Sequence, residues 1–219
     1  MMKTVLSTRE LTSPQRDLLL GSGVGLVQYN AIHTPPIDFD LPSGTELFIF
    51  TSGRAVDVFF QHPGNDLKGA KCFCVGERTA SKLVEIGQKV IEIAKNGQEL
   101  GEKLAKSYQS SKFIYVCGKQ RLDTLPDLLL NNDITFTELP VYRTEGTFKK
   151  FDRSFDAVML FSPSGVQSYC EVNDLGDAWL VCIGDTTAKA AKDYSQKVVV
   201  ANSTRIESVI AKAVNSIKL

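Results

Sequence analysis

Three observations predict an α/β protein built from two doubly wound parallel sheets. Short apolar runs rich in Val, Ile, Phe and Cys alternate with helix-favouring stretches, the pattern of parallel strands covered on both faces. Those runs end at a glycine or a hydroxyl residue and pass straight into a helix, as in Leu180-Val181-Cys182-Ile183-Gly184-Asp185-Thr186-Thr187-Ala188 and Cys74-Val75-Gly76-Glu77-Arg78-Thr79-Ala80. The order of elements then recurs in the second half of the chain, which argues for a duplicated unit.

The elements follow in order. Thr4 to Ser7 reads as a strand, and Ser13-Pro14 opens a helix through Leu20 with proline near the first position, where its missing N–H is not needed. Gly21 to Gly25 ends that helix, and Leu26 to Ile32 reads as the next strand. Pro35, Pro36 and Pro42 then make an extended stretch and mark a boundary. Glu46 to Phe50 is a strand, Thr51 to Arg54 its turn and Ala55 to Gln61 a helix. Strand Lys71 to Val75, a helix from Glu77, strand Lys89 to Ile93 and a helix over Glu99 to Tyr108 complete the first half.

Phe113 to Cys117, a helix ending at Leu128-Leu129-Leu130 and a strand over Ile134 to Val141 answer the opening strand-helix-strand, with Leu18-Leu19-Leu20 lying 110 positions before its counterpart. Phe50-Thr51-Ser52-Gly53-Arg54-Ala55-Val56 is answered by Phe161-Ser162-Pro163-Ser164-Gly165-Val166, and Val75-Gly76-Glu77-Arg78-Thr79-Ala80 by Ile183-Gly184-Asp185-Thr186-Thr187-Ala188. Val90 to Tyr108 is answered by Val198 to Val214. In doubly wound sheets ligands bind beyond the carboxyl ends of the strands, so these polar turns gather on one edge of each domain. Two such edges facing each other are expected to form a cleft. Unpaired N–H groups and the positive end of the helix dipole suit such turns to anions.

Composition narrows the ligand. Lys plus Arg balance Asp plus Glu at 25 each in 219 residues, so there is no global basic field for nucleic acid or an anionic membrane, and any anion is held locally. Cys72, Cys74, Cys117, Cys170 and Cys182 lie in or beside apolar runs without a C-x-x-C pair, which reads as buried free thiols in a reducing compartment. The first residues lack a long apolar core and no stretch approaches a membrane span, so a cytoplasmic protein is expected.

Gly21-Ser22-Gly23-Val24-Gly25 lacks the G-x-G-x-x-G spacing and follows a helix, so it reads as a helix end and turn. No G-x-x-x-x-G-K-[ST] motif is present, and His33 and His62 have no ligand spacing with each other or with the cysteines, so no metal site is expected. Ser52, Ser162 and Ser164 follow strands, but no base is placed beside them and G-x-S-x-G is absent, which favours binding over nucleophilic catalysis. One of Thr186 and Thr187 could cap a helix, and two adjacent hydroxyls exceed what a cap needs. Position alone leaves Tyr142, in Leu139-Pro140-Val141-Tyr142-Arg143-Thr144, equally a packing or a functional residue.

Taken together, Phe50-Thr51-Ser52-x-x-Ala55-Val56, Val75-Gly76-x-x-Thr79-Ala80, Val141-Tyr142-Arg143-Thr144, Phe161-Ser162-Pro163-Ser164-Gly165 and Ile183-Gly184-x-Thr186-Thr187-Ala188 resemble the uroporphyrinogen-III synthase family across the whole chain. The resemblance implies two flavodoxin-like domains joined by a two-stranded β ribbon: residues 1–34 with 145–219, residues 38–140, and linker strands at 35–37 and 141–144. It implies a cofactor-free, monomeric enzyme whose small-molecule substrate is a linear tetrapyrrole polycarboxylate. Hydroxymethylbilane loses water and closes to uroporphyrinogen III through a spiro intermediate, with the last pyrrole ring inverted. Tyr142 is then the implied general acid. Thr51, Ser52, Gly76, Thr79, Ser162, Ser164, Gly165, Thr186 and Thr187, with Arg9 at the end of the first strand, become the implied carboxylate contacts. Several charge-assisted hydrogen bonds, each about 1.5–3 kcal/mol, can hold such a chain without a basic patch. The implied task is largely conformational, with mobile domains closing to curl the substrate. The basic segment Lys119-Gln120-Arg121 has no residue-by-residue match to the family. A non-catalytic two-domain module for a small anion or tetrapyrrole is the alternative reading. A receiver-like regulator is disfavoured by the lack of an acidic cluster at the first strand ends.

Overall fold

A computed structural model describes residues 2–44 and 47–218. Along the chain the elements are β1 (Thr4–Ser7), α1 (Ser13–Leu20), β2 (Gly25–Gln28), β3 (Ile32–His33), β4 (Leu47–Phe50), α2 (Gly53–Phe60), β5 (Lys71–Val75), α3 (Glu77–Glu85), β6 (Lys89–Ala94), α4 (Gly97–Ser107), β7 (Lys112–Gly118), α5 (Thr124–Asn131) and β8 (Thr135–Tyr142). There follow β9 (Glu145–Gly146), β10 (Ala157–Leu160), α6 (Pro163–Cys170), β11 (Trp179–Cys182), α7 (Asp185–Ala191), β12 (Val198–Val200) and α8 (Ile206–Ile217). The expected strand from Glu46 is described from Leu47 onward, because Glu46 lies outside the described residues.

The chain divides into two compact units, residues 1–33 with 145–219, and residues 34–144. In the first, a five-stranded parallel sheet runs β12-β11-β10-β1-β2. Read in chain order this is the 2-1-3-4-5 arrangement of a flavodoxin-like sheet, whose switch point lies between β1 and β10. The second unit's parallel sheet runs β6-β5-β4-β7-β8, a 3-2-1-4-5 order with its switch point between β4 and β7. The two orders are circular permutations of one arrangement. The opening β1-α1-β2 of the first half completes the sheet of β10 to β12, while β7-α5-β8 of the second half completes that of β4 to β6. The sequence repeat and the folded units therefore do not coincide.

Continuous apolar strands are divided between two faces by the period-two alternation of side chains. In the first unit Leu6, Val158, Leu180 and Cys182 pack with Val166, Tyr169 and Ala188 on one face. On the other, Val5, Ala157 and Val181 pack with Leu19, Val209 and Ala213. In the second unit Phe48, Phe50, Cys72 and Cys74 meet Val56, Phe59 and Leu83, while Ile49, Phe73 and Tyr115 meet Leu100, Leu104, Leu125 and Leu129 on the reverse face. All five cysteines are free and buried. Desolvation pushes the thiols of Cys72, Cys117, Cys170 and Cys182 up to about 12 and that of Cys74 to about 11, so they behave as small hydrophobes.

One expected strand is divided. The sequence predicts one strand over Leu26 to Ile32, but β2 ends at Gln28, and the Tyr29 and Ala31 N–H groups bond past it to Ser7 O and Thr8 O at 3.1 and 3.0 Å. Only Ile32 and His33 resume a ladder, antiparallel to Gly146 and Glu145, with the His33 ring 2.7 Å from Glu145 Oε2. In the second unit Pro36 bridges Tyr142 antiparallel, and Ile37 and Arg143 exchange backbone bonds with Val141 and Pro35. Gly23, with φ 76°, supplies the left-handed residue of the turn after α1.

Candidate active site

In the second unit the site begins at the switch point. Chain reversal from β4 into α2 exposes the first N–H groups of the helix, and Ser52 caps them, its Oγ accepting from Ala55 N at 3.2 Å. The same oxygen lies 3.1 Å from Tyr142 Oη, and the neighbouring Thr51 Oγ1 lies 3.0 Å from Tyr115 Oη. Tyr115 is buried, and desolvation pushes its phenol up to about 12 despite the hydrogen bond shared with Thr51, which pulls the other way. It is a neutral wall rather than an acid.

Tyr142 is brought there by two features of β7 and β8. The ladder is in register through Cys117 and Pro140, then shifts so that Gly118 pairs with Tyr142, and the extra residue re-aims the end of β8. Its ring then lies on Gly118, where a Cβ would come within 2.6 Å of Cζ, 2.7 Å of Cε2 and 2.9 Å of Oη. No other residue type leaves that space. Lys119 N donates to Tyr142 O at 2.8 Å and fixes the backbone.

Above these residues is a cavity of about 500 Å³ over the carboxyl ends of the strands. Thr51, Tyr115, Gly118 and Tyr142 line one side, Lys95, Asn96 and Gly97 another, and Arg121, Leu122 and Leu125 a third. Its size suits a small-molecule pocket, and its walls combine apolar side chains such as Val75, Leu122 and Leu125 with polar ones such as Thr51, Asn96 and Gln98. Arg121 is ion-paired with both Glu138 and Asp123, so its charge is already balanced. Gln120 holds the backbone of Thr144 from both sides, accepting from its N at 2.8 Å and donating to its O at 3.4 Å. The next strand-to-helix turn carries Gly76, at φ 83°, as the cap of α3, with open space where a side chain would stand. Thr79 is buried on the inner side of that helix.

In the first unit the corresponding turn is built alike. Ser162 caps α6, its Oγ accepting from Gly165 N at 3.0 Å, and Ser164 is half-buried in the first turn. A Cβ on Gly165 would be 3.2 Å from Ser162 Oγ, so glycine keeps the turn close. At the end of β1, Thr8 donates to Met159 O at 2.8 Å, and the Arg9 guanidinium lies 5.5 Å from the centre of the Phe161 ring. The expectation for Thr186 and Thr187 divides. Gly184 is the cap of α7, Thr186 is exposed beside it, and Thr187 is buried among the core residues.

Thr51, Ser52 and Tyr142 are thus brought together in one unit, with Gly76 and Thr79 on the adjoining turn. Arg9, Ser162, Ser164 and Gly165 gather in the other, with Thr186 and Thr187 on their own turn. Sequence reasoning missed Tyr115, Gly118 and Thr8. A glycine closing the apolar run Phe113 to Cys117 was an available sign of close approach. Nothing in the sequence distinguishes the hydroxyl of Tyr115 from its core neighbours. Among the described residues no group of His, Cys, Asp and Glu could hold a metal ion, and no helix is long and apolar enough to cross a membrane.

The fold and site define a two-unit doubly wound α/β protein with a phenol and hydroxyl groups at a switch-point pocket, the class that binds small molecules at the strand ends. A family model described as uroporphyrinogen-III synthase HemD matches residues 18–211, and the chain belongs to that family. Porphyrin biosynthesis protein HemD of Ruminiclostridium josui is 26% identical over an alignment 223 positions long that covers 87% of this chain and 43% of that protein, so the chain spans less than half of that relative. Uroporphyrinogen-III synthase of Chlorobaculum parvum is 26% identical over an alignment 225 positions long that covers 90% of this chain and 92% of the relative. The fold is that of the uroporphyrinogen-III synthetase crystal structure from Helicobacter pylori, with TM-score 0.77, 16% identity and coverage of 98% and 99% of the two chains. A mutant uroporphyrinogen III synthase from Thermus thermophilus matches at TM-score 0.65 and 16% identity, covering 99% of each chain.

Proposed function

We propose that this protein catalyses the cofactor-free closure of hydroxymethylbilane to uroporphyrinogen III, with loss of water and inversion of the last pyrrole ring. Family membership supports the reaction. The observation that carries the chemistry is the half-buried Tyr142, whose hydroxyl meets Ser52 at the wall of the 500 Å³ cavity. The hydroxymethyl oxygen leaves as water by taking the Tyr142 proton while the pyrrole nitrogen lone pair fills the gap left by the breaking C–O bond. Ring closure releases one proton, which returns to the phenolate, so the net change is loss of one water. Thr51 and the Gly76 turn in one unit, and Arg9, Ser162, Ser164 and Thr186 in the other, supply donors for the substrate carboxylates. The buried, protonated thiols support a reducing, cytoplasmic setting, and we assign the working state as a monomer, which sedimentation would test.

Purified protein given freshly prepared hydroxymethylbilane is expected to form the type III isomer. Type I product alone, at the uncatalysed rate, would refute the assignment. Tyr142→Phe is expected to lower kcat by roughly 10²-fold, the low end for a general acid, because the substrate is itself reactive. Full activity in that variant would reject the role of Tyr142 and leave the family unaffected.

A further inference from the structure

Ser52 has a use other than holding a carboxylate. A serine hydroxyl offers one proton and two lone pairs. One lone pair of Ser52 accepts from Ala55 N at 3.2 Å, which caps α2. Its other bond is to Tyr142 Oη at 3.1 Å, where the heavy atoms alone permit either oxygen to donate. Two arguments decide the direction. An oxygen that accepts a hydrogen bond from a helix N-terminus becomes a stronger donor, because the two bonds polarise one another. The positive end of the helix also favours electron density moving toward Ser52 rather than a second proton pointing at it.

We propose that Ser52 is a positioning residue that donates its hydroxyl proton to Tyr142, turning the proton of Tyr142 outward into the cavity and steadying the negative charge left on the phenol oxygen. The proposal rests on the assignment of Tyr142 as the acid. No bond to the substrate is required of Ser52, and its single proton is committed to Tyr142, so it has none to offer a carboxylate. Gly118 holds the other end of the arrangement, since any side chain there would displace the Tyr142 ring from Ser52.

Capping and positioning are separable. Ser52→Gly retains most of the capping value, the difference being a few tenths of a kcal/mol, while removing the hydroxyl, and Ser52→Thr keeps both. Ser52→Gly is expected to lower kcat by roughly tenfold, corresponding to about 1.4 kcal/mol, with little change in KM, and Ser52→Thr to recover most of the loss. In a Tyr142→Phe background Ser52→Gly should change kcat less than about twofold, since the group it serves is gone. Equal losses of kcat in both backgrounds, or a loss confined to KM, would overturn the proposal.

A second readout does not use activity. In protein labelled at the tyrosine ring carbons, the Cζ resonance of Tyr142, identified by its absence in Tyr142→Phe, should move in Ser52→Gly and return in Ser52→Thr. A resonance indifferent to Ser52 would overturn the positioning role even if the type III isomer were formed. A moving resonance in a protein that made only type I product would uphold the Ser52 bond and reject the reaction.

Discussion

The two strand-to-helix turns that begin α2 and α6 carry the same cap and serve different ends. In each, a serine in extended backbone accepts from the N–H three residues on, Ser52 from Ala55 and Ser162 from Gly165. What differs is the neighbour at the end of the adjoining strand. In the second unit that strand ends at Gly118, and the empty space admits the Tyr142 ring to the serine. In the first, β1 ends at Ser7 and is followed by Thr8, whose own hydroxyl is tied to Met159 O. Ser162 therefore has a proton left to donate and Ser52 does not. On the function proposed above, the duplicated turn serves as a ligand contact in one unit and as a support for an acid in the other, through one residue on a neighbouring strand.

The sharpest way to break this contrast is Gly118→Ala. The added methyl would lie 2.6 Å from Tyr142 Cζ, so the ring must leave Ser52. We expect kcat to fall by roughly 10²-fold, comparable to Tyr142→Phe, with overpacking costing about 1–3 kcal/mol in denaturant unfolding. A fully active Gly118→Ala protein would show that the contact between Tyr142 and Ser52 is dispensable.

Alkaline pH should reveal the buried phenols behind the two turns. Desolvation raises Tyr115 in the second unit and Tyr29 in the first from 10.0 to about 12, and the Tyr29 hydroxyl has no hydrogen-bond partner among the described residues. Below pH 10 both phenols are protonated in the folded and unfolded chains. Between pH 10 and about 12 the unfolded chain releases its protons first, so stability falls by about 1.4 kcal/mol per phenol per pH unit, and the decline from these groups ends as the folded phenols ionise. Denaturant unfolding at pH 9.5 and 11 would measure it, and Tyr115→Phe should make the slope shallower.

The smallest effect is expected from Ser162→Gly. Loss of one donor to a carboxylate should raise KM by roughly 3- to 10-fold with a much smaller change in kcat, the reverse of the Ser52→Gly pattern. If both serines alter the same kinetic constant, the functional division between the turns is wrong.

Much of the fold was legible because it rests on local rules. Apolar runs such as Phe113 to Cys117 and Leu180 to Cys182 can be satisfied only by strands covered on both faces, and Ser52, Ser162 and Gly76 mark helix starts by their chemistry. The end of β2 was not legible, because Tyr29 and Ala31 remain bonded to the backbone of the first strand's end without extending the ladder. The burial of Thr79 and Thr187 was hidden as well, since adjacent hydroxyls in a first helical turn look alike until the helix is set against its sheet.

Tyr142 is singled out by the family resemblance of Val141-Tyr142-Arg143-Thr144, whereas the alternation of strands and helices, the duplicated turns and the buried thiols can be read from the chain alone. Local hydrophobic periodicity and capping chemistry carry that information within a few residues. Which half of the repeat completes which sheet is settled by the folded chain, as is the approach of Tyr142 to Ser52 through a register shift between β7 and β8 and a bare Gly118. Those facts depend on strand pairing between distant residues, Gly118 with Tyr142 at one extreme and Val5 with Ala157 at the other, and no short stretch of sequence records which partner a strand will meet.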